Sequence, residues 1–244
     1  MTDIHEQEQA HVTVQQLMKK KDDFFAIASH ELKTPITSMK ASLQILDTIN
    51  TGQLDPGKSR AFIDMANKQV NKLMAIVSDL LDVSKLQSGK MQLNKVSYVF
   101  NESVKECVSE MMLHDSLHEI NVTAAEPIIV YADKLRIEQV ITNLLSNAIK
   151  YSPNRTVVEL KIEQFDGFLK CSVTDFGIGI PAEQQPFIFD RFYRVDDSSA
   201  TLSGLGLGLY ISSEIIQKHN GKLGVQSEAG KGSTFWFKLP LAEE

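Results

Sequence analysis

Only two cysteines, Cys107 and Cys171, occur in 244 residues, and they stand far apart. A disulfide framework is therefore excluded, and a reducing compartment fits better. No uninterrupted apolar run reaches the roughly 18 residues needed to span a bilayer, and the polar amino-terminal stretch lacks the apolar core of a signal peptide. The expected location is the cytoplasm, with no membrane contact required by this chain, whether it works alone or as the cytoplasmic part of a membrane-anchored parent. Excess positive charge is also missing. Lys and Arg number 25 against 31 Asp and Glu, a net charge of −6, so no broad electrostatic field draws the chain to nucleic acid. Two common phosphate-binding signatures are absent as well. No G-x-x-x-x-G-K-[ST] loop occurs, and "GLGLGL" fails the dinucleotide pattern because Leu209 stands where its last glycine should be. Internal repeats are not evident.

What is present divides into two halves of different period. From about residue 11 to 86 the pattern is helical, with Phe25, Ala28, Leu32, Pro35, Met39 and Leu46 forming one apolar seam. The turn-forming "NTGQLDPGKS" at 50–59 interrupts it, after which Phe62, Met65, Gln69, Leu73, Ile76, Leu80 and Val83 resume the spacing. Two long helices with a short turn make a hairpin whose seam is half covered, and pairing two copies into a four-helix bundle covers it. A homodimer is the expectation. After "LQSGKMQL" the pattern becomes α/β. Helices are predicted near 100–113, 133–150 and 207–219. Strands are predicted near 119–122 and 128–130, then "TVVELKIEQF" with "FLKCSVTDF", and a closing hairpin "KLGVQSE"/"GSTFWFKL". The expected domains are a helical lead-in at 1–20, the hairpin at 21–89 and the α/β domain at 90–244.

In "DDFFAIASHELKTPITSMK" the helical step of about 100° per residue puts His30 at about 200° when Ala28 is at zero, opposite the seam. Lys33, Thr34 and Thr37 share that outer face, and Glu31 is adjacent in sequence. A solvent-facing imidazole beside a carboxylate is a nucleophile whose second ring nitrogen can release its proton to an oriented acceptor. Pro35 removes the N–H that would bond the carbonyl of Glu31, weakening the helix where the histidine is presented.

The second half carries a different set. On "DKLRIEQVITNLLSNAIKYSP" the apolar stripe is Ile137, Val140, Ile141, Leu144 and Ala148, while Asn143 and Asn147 lie on the polar face near Lys150. Amide oxygens with an ammonium suit a hydrated Mg²⁺ carrying phosphates. "SVTDFGIGIP" ends a strand at Asp175, a carboxylate that can accept from a base amino group. Gly177 and Gly179 follow, letting backbone approach a flat ligand. "SGLGLGLYISSEIIQKH" runs from a glycine-rich loop into a helix, whose free N–H groups and dipole favour phosphate.

Taken in order, these stretches resemble the transmitter core of bacterial two-component sensor histidine kinases over about residues 15–241. "FFAIASHELKTPITSMK" looks like the family's H box, "QVITNLLSNAIKYSP" its N box, "VTDFGIGIP" its G1 box, "IFDRFYRVD" its F box and "GLGLGLYIS" its G2 box. The resemblance implies a dimeric four-helix bundle followed by an α/β sandwich ATP-binding domain of the Bergerat (GHKL) type. It implies ATP and Mg²⁺ as cofactors, a response-regulator receiver domain as partner, autophosphorylation, and transfer to a regulator aspartate. His30 would be the phosphoacceptor, Glu31 its orienting neighbour and Thr34 the residue serving dephosphorylation of the regulator. Asn147, supported by Asn143, would hold Mg²⁺; Lys150 and Arg194 would face phosphates, Tyr151 the adenine ring and Asp175 its amino group. Gly177, Gly179, Ile180, Gly204, Gly206, Leu207, Gly208, Leu209 and Thr234 would complete the nucleotide site. Leu205 stands where the family frequently has Thr. The polar "RVDDSSATLSG" reads as a flexible lid.

Two other function classes compete. The gyrase, Hsp90 and mismatch-repair ATPases resemble only the second half, and the Glu they use to activate water corresponds here to Asn143, which cannot act as a base. A non-catalytic dimeric scaffold is the other. Lesser signals are "HDSLH", where His114 and His118 have metal-compatible spacing without further ligands, "KKKDD", read as a solvated helix start, and His219 in "KHNG", read as a helix carboxy-terminal residue before Gly221.

Overall fold

The computed structural model describes residues 26–47, 56–114, 117–124, 126–153, 156–195 and 204–241. Phe25, the "KKKDD" stretch, the amino-terminal lead-in and most of the expected lid lie outside them. By internal packing the chain divides into two units, and the division falls inside one helix: the first unit runs through Leu81 and also takes in Gly204 and Leu205, and the second holds the other residues from Asp82 onward.

The first unit holds helix α1 (residues 26–47) and most of helix α2 (Pro56–Gln87). The helix α2 begins inside the stretch expected to be a turn, with proline at its first position, where the missing N–H is no loss. The helix α1 runs unbroken through Pro35. Ala28, Glu31, Pro35 and Ser42 are buried in α1, and Ala66 and Ile76 in α2. The buried stripe of α2 passes through Ala66 rather than the expected Met65, which is 47% exposed. A second set of apolar residues faces outward at heptad intervals: Ile36 and Leu43 on α1, Ile63, Val70 and Val77, and Met74 and Leu81 on α2.

The second unit is built on a sheet in the order β2 (Glu119–Ala124), β4 (Val157–Phe165), β5 (Phe168–Asp175), β7 (Gly232–Pro240), β6 (Lys222–Glu228). The β2–β4 pair is parallel and the others antiparallel. Alternation along the strands sends Leu160, Ile162, Leu169, Cys171, Val173, Phe235 and Phe237 to a buried face. Helices α3 (Phe100–His114), α4 (Lys134–Tyr151) and α5 (Gly208–Lys218) cover that face. The expected stripe of α4 is buried throughout, with Leu145 added to it. On the open face Lys170 and Lys238 lie over the Trp236 ring. The strand β1 (Val96–Val99), its antiparallel pairing with β3 (Ile129–Ala132), and a 3-10 turn at Gln185–Phe187 are not legible in the sequence pattern. Both cysteines are free and buried, and burial pushes the Cys107 thiol up to about 11.

Candidate functional site

Within the hairpin unit His30 is exposed on α1, as the helical step requires, while Ala28 one face away is buried. The Thr34 hydroxyl donates to the His30 carbonyl at 3.0 Å, a back-bond one turn long. Both side chains therefore sit on one solvent-facing surface. Glu31 does not share it. Glu31 is 7% exposed, with one carboxylate oxygen 3.9 Å from Lys72 Nζ on α2. The expected orienting partner of the imidazole is thus turned into the hairpin, because the next residue of a helix points about 100° away.

In the second unit Asp133 caps α4, its Oδ1 accepting the Arg136 N–H at 3.2 Å. Three turns on, Asn143 and Asn147 are half-buried on the polar face. They are not equivalent. Asn143 Nδ2 donates to Ser212 Oγ of α5 at 3.0 Å, and a Cβ on Gly208 would come within 2.4 Å of Asn143 Oδ1. Asn143 thus braces the start of α5. The Lys150 ammonium lies 4.8 Å from the centre of the Tyr151 ring. Arg194 is half-buried.

Asp175 ends β5 and is 3% exposed. Burial raises its carboxyl above the ordinary range, and the backbone N–H groups of Gly177 and Ser233 pull it back. The Gly177 bond to Oδ1 is 2.9 Å. The glycines after it pack closely against the protein's own backbone. A Cβ on Gly177 would meet the Tyr151 carbonyl oxygen at 2.0 Å, and Ile178 N–H donates to that same oxygen at 3.1 Å. Gly179 has φ +64°, and its Cβ would meet the Glu228 carbonyl at 2.0 Å. Both glycines let the loop after β5 lie against the end of α4 and the β6–β7 turn. Ile180 N–H is held by Ser227 Oγ at 2.8 Å, and the Thr234 hydroxyl pairs with Thr174 across β5 and β7 at 2.9 Å.

The glycine-rich loop follows the same logic. Gly204 has φ 153°, while Gly206, at φ +66°, accepts the Phe192 N–H at 3.1 Å and abuts the Tyr193 carbonyl. Leu207 is 1% exposed and precedes α5 without a side-chain cap, leaving the first N–H groups of that helix to another acceptor. Leu209 is half-buried. Within this unit Asp175 stands opposite Ser233 on the helix-covered side of the sheet, Gly177 ties the loop after it to the end of α4, and Asn143 ties α4 to the start of α5; Thr234, bonded to Thr174, lies on the opposite face with Trp236. His118 is buried, its Nε2 lying 3.4 Å from the Ser152 carbonyl. His219 is the carboxy-terminal cap of α5, as its spacing indicates. Among the described residues no cluster of His, Cys, Asp and Glu could hold a metal ion. Ser212 and Ser227, which hold Asn143 and Ile180, are not legible in the sequence because isolated serines carry no pattern.

Two family profiles match the chain. Residues 20–89 match the "His Kinase A (phospho-acceptor) domain" and residues 132–243 the "Histidine kinase-, DNA gyrase B-, and HSP90-like ATPase". The "Sensor protein kinase WalK" of Staphylococcus saprophyticus is 34% identical over 233 residues, covering 93% of this chain and 37% of its own length. The chain therefore spans little more than a third of that relative. The Acinetobacter baumannii histidine kinase AdeS superposes with a TM-score of 0.61 at 26% identity, over 88% of this chain and 98% of that one. The histidine kinase ThkA, solved in complex with the response regulator protein TrrA, shares the fold with a TM-score of 0.63 at 23% identity, over 93% of this chain and 64% of that one. With both profiles in this order along one chain, the chain belongs to the two-component histidine kinases, and it holds their phospho-acceptor and ATPase domains.

Proposed function

We propose that this chain transfers the γ-phosphoryl group of ATP to His30 and passes it to an aspartate of a response-regulator receiver domain. The observation that carries the reading is the exposed His30 beside a buried seam, on the same chain as an ATPase-type domain with a buried strand-end carboxylate, Asp175. A ring nitrogen of His30 bonds to the γ-phosphorus as the bond from that phosphorus to the β,γ-bridging oxygen breaks, ADP leaves, and the other ring nitrogen gives up its proton to the solvent that the exposed ring faces. In the second reaction the N–P bond breaks as a carboxylate oxygen of the regulator bonds to phosphorus, and the histidine is regenerated. The regulator as partner is supported by the ThkA–TrrA complex.

The residues fit the nucleotide. Asp175 accepts from the adenine amino group, Tyr151 lies along the ring, and Lys150, Arg194 and the uncapped N–H groups of α5 meet phosphates. Asn147 offers the neutral oxygen that Mg²⁺ takes as a ligand, with Asn143 in support. Mg²⁺, when bound, neutralises phosphate charge. The outward heptads Ile36/Leu43 and Ile63/Val70/Val77 favour a second copy packed on the hairpin as a four-helix bundle. No helix among the described residues is long and apolar enough to cross a membrane, and the composition favours work on the cytoplasmic side.

Incubation with γ-labelled ATP and Mg²⁺, followed by acid, tests the reading. Acid-labile label on the protein is expected. Free phosphate alone would mean an ATPase of the gyrase kind, and neither product would mean a scaffold.

A further inference from the structure

In "DLLDVSKL" a carboxylate interrupts an apolar stretch. Val83 and Leu86 are buried, and so is Asp82, whose side chain is 4% exposed. Removing a carboxylate from water costs several kcal/mol unless its oxygens find partners. Asp82 has them. Its Oδ2 accepts from Arg136 Nη1 at 2.7 Å and from Gln139 Nε2 at 2.9 Å, and Gln139 Oε1 accepts from the same Arg136 nitrogen at 2.8 Å. The three side chains form a closed cycle between the last turns of α2 and the first turns of α4.

The network continues further within the second unit. Arg136 N–H donates to Asp133 Oδ1, while Asp133 Oδ2 accepts the Asn94 N–H at 2.8 Å. Asp133 N–H donates to His219 Nε2 at 3.0 Å, and His219 Nδ1 donates to the Ile215 carbonyl at 2.8 Å near the end of α5. The Asn143–Ser212 bond joins α4 to α5 again, nearer the nucleotide. The turn between α2 and β1 is itself tied. Gly89 takes φ +67°, and the Lys85 carbonyl accepts from Lys90 at 2.9 Å and Met91 at 3.2 Å. The second unit therefore begins at Asp82, about two turns before the domain boundary expected from the sequence.

We propose that Asp82 is a positioning residue for nucleotide binding: through Arg136 and Gln139 it sets the rotation of α4, and with it the placement of Asn147. The inference rests on the reading of α4 and Asp175 as the ATP site. Nucleotide binding and the seating of Asp82 on Arg136 and Gln139 are then linked reciprocally within this unit.

The test uses the full chain and three variants, Asp82→Asn, Gln139→Met and Asn147→Ala. Calorimetry measures affinity for Mg²⁺ with a non-hydrolysable ATP analogue. Transfer from phospho-His30 to the regulator, which needs no nucleotide, is timed on protein labelled at saturating ATP and then desalted. Asp82→Asn is expected to weaken analogue binding about tenfold, within the usual range of coupling between sites, and to raise the KM for ATP in parallel. Gln139→Met, which keeps the Asp82–Arg136 pair, is expected to shift affinity the same way by about threefold. Phosphotransfer by both should stay within about twofold of the parent. If both bind the analogue as the parent does while melting at a lower temperature, the cycle only holds the fold and the proposal is overturned. A parallel fall in affinity and phosphotransfer overturns it too. If instead the parent fails to bind the analogue, or Asn147→Ala binds it unchanged, the ATP-site reading itself fails.

Discussion

The hairpin and the α/β unit bury their apolar residues to different degrees. In the α/β unit Phe100, Ile137, Leu144, Val158 and Phe237 are fully buried by the chain's own elements. In the hairpin the buried apolar side chains of α1, and of α2 before Leu81, are small or partly covered: Ala28 at 6%, Ala66 at 8% and Ile76 at 7%, while Met74 is 66% and Leu81 55% exposed. A sheet with helices on one face closes a core alone, whereas two helices share one seam and leave the other open. One unit therefore closes its own core, and in the reading proposed above it is the one that takes the nucleotide. The other leaves apolar positions exposed and carries His30, the proposed acceptor.

Substitution of the acceptor should separate the units most sharply. His30→Gln is expected to abolish incorporation of label while calorimetric affinity for Mg²⁺ and the ATP analogue stays that of the parent; retention of label would remove His30 from its role. Next in size is Thr34→Ala. Its hydroxyl shares the His30 surface, so dephosphorylation of the regulator should fall by roughly 10²-fold with autophosphorylation changed only a few-fold. Equal losses in both rates would mean that Thr34, bonded to the His30 carbonyl, supports helix geometry instead.

The open seam gives the third contrast. Ile36→Asp combined with Leu43→Asp should raise the dimer dissociation constant by at least about 10²-fold, since each apolar side chain contributes about 1.5–3 kcal/mol on burial. Light scattering showing an undisturbed dimer would place the interface elsewhere. A fragment beginning at Lys90 lacks the Asp82 carboxylate and should melt about 8 °C below one beginning at Leu80, from loss of a buried pair at about 3 kcal/mol. Equal melting temperatures would return the domain boundary to the Gly89 turn.

The smallest expected effect concerns pH. Burial holds His219 below its ordinary value, opposed by its bond to Ile215 and the nearby Asp133, with Lys95 reinforcing the depression. Its neutral ring accepts the Asp133 N–H, so the unfolded chain takes up a proton that the folded chain resists. The stability this contributes is present above the unfolded value of 6.5 and declines as pH falls through the lower folded value. Melting curves from pH 7.5 to 5 should be less steep in pH for His219→Gln than for the parent, and identical slopes would contradict the assignment.

Much of this is legible in the sequence. The outward angle of His30, the stripe of α4 and the strand ending at Asp175 follow from spacing alone, because helix and strand periods are local properties of the backbone. Ala66 replaces Met65 on the buried stripe because neighbouring positions on a helix differ by only a fraction of a turn. The β1–β3 pair is not legible because Val96–Val99 is short and its partner residues lie 30 to 36 positions away in a register no local pattern encodes.

By itself, then, the sequence determined which side chains face the same way along each helix and strand, and the order of the motifs that mark a histidine kinase core. Only the tertiary structure decided what those side chains meet. It turned Glu31 toward Lys72, committed Asn143 to Ser212, set Gly177 against the Tyr151 carbonyl and placed Asp82 with Arg136 and Gln139. Each of these depends on two segments distant in sequence being brought within hydrogen-bonding or van der Waals reach, and that proximity arises only when the elements pack.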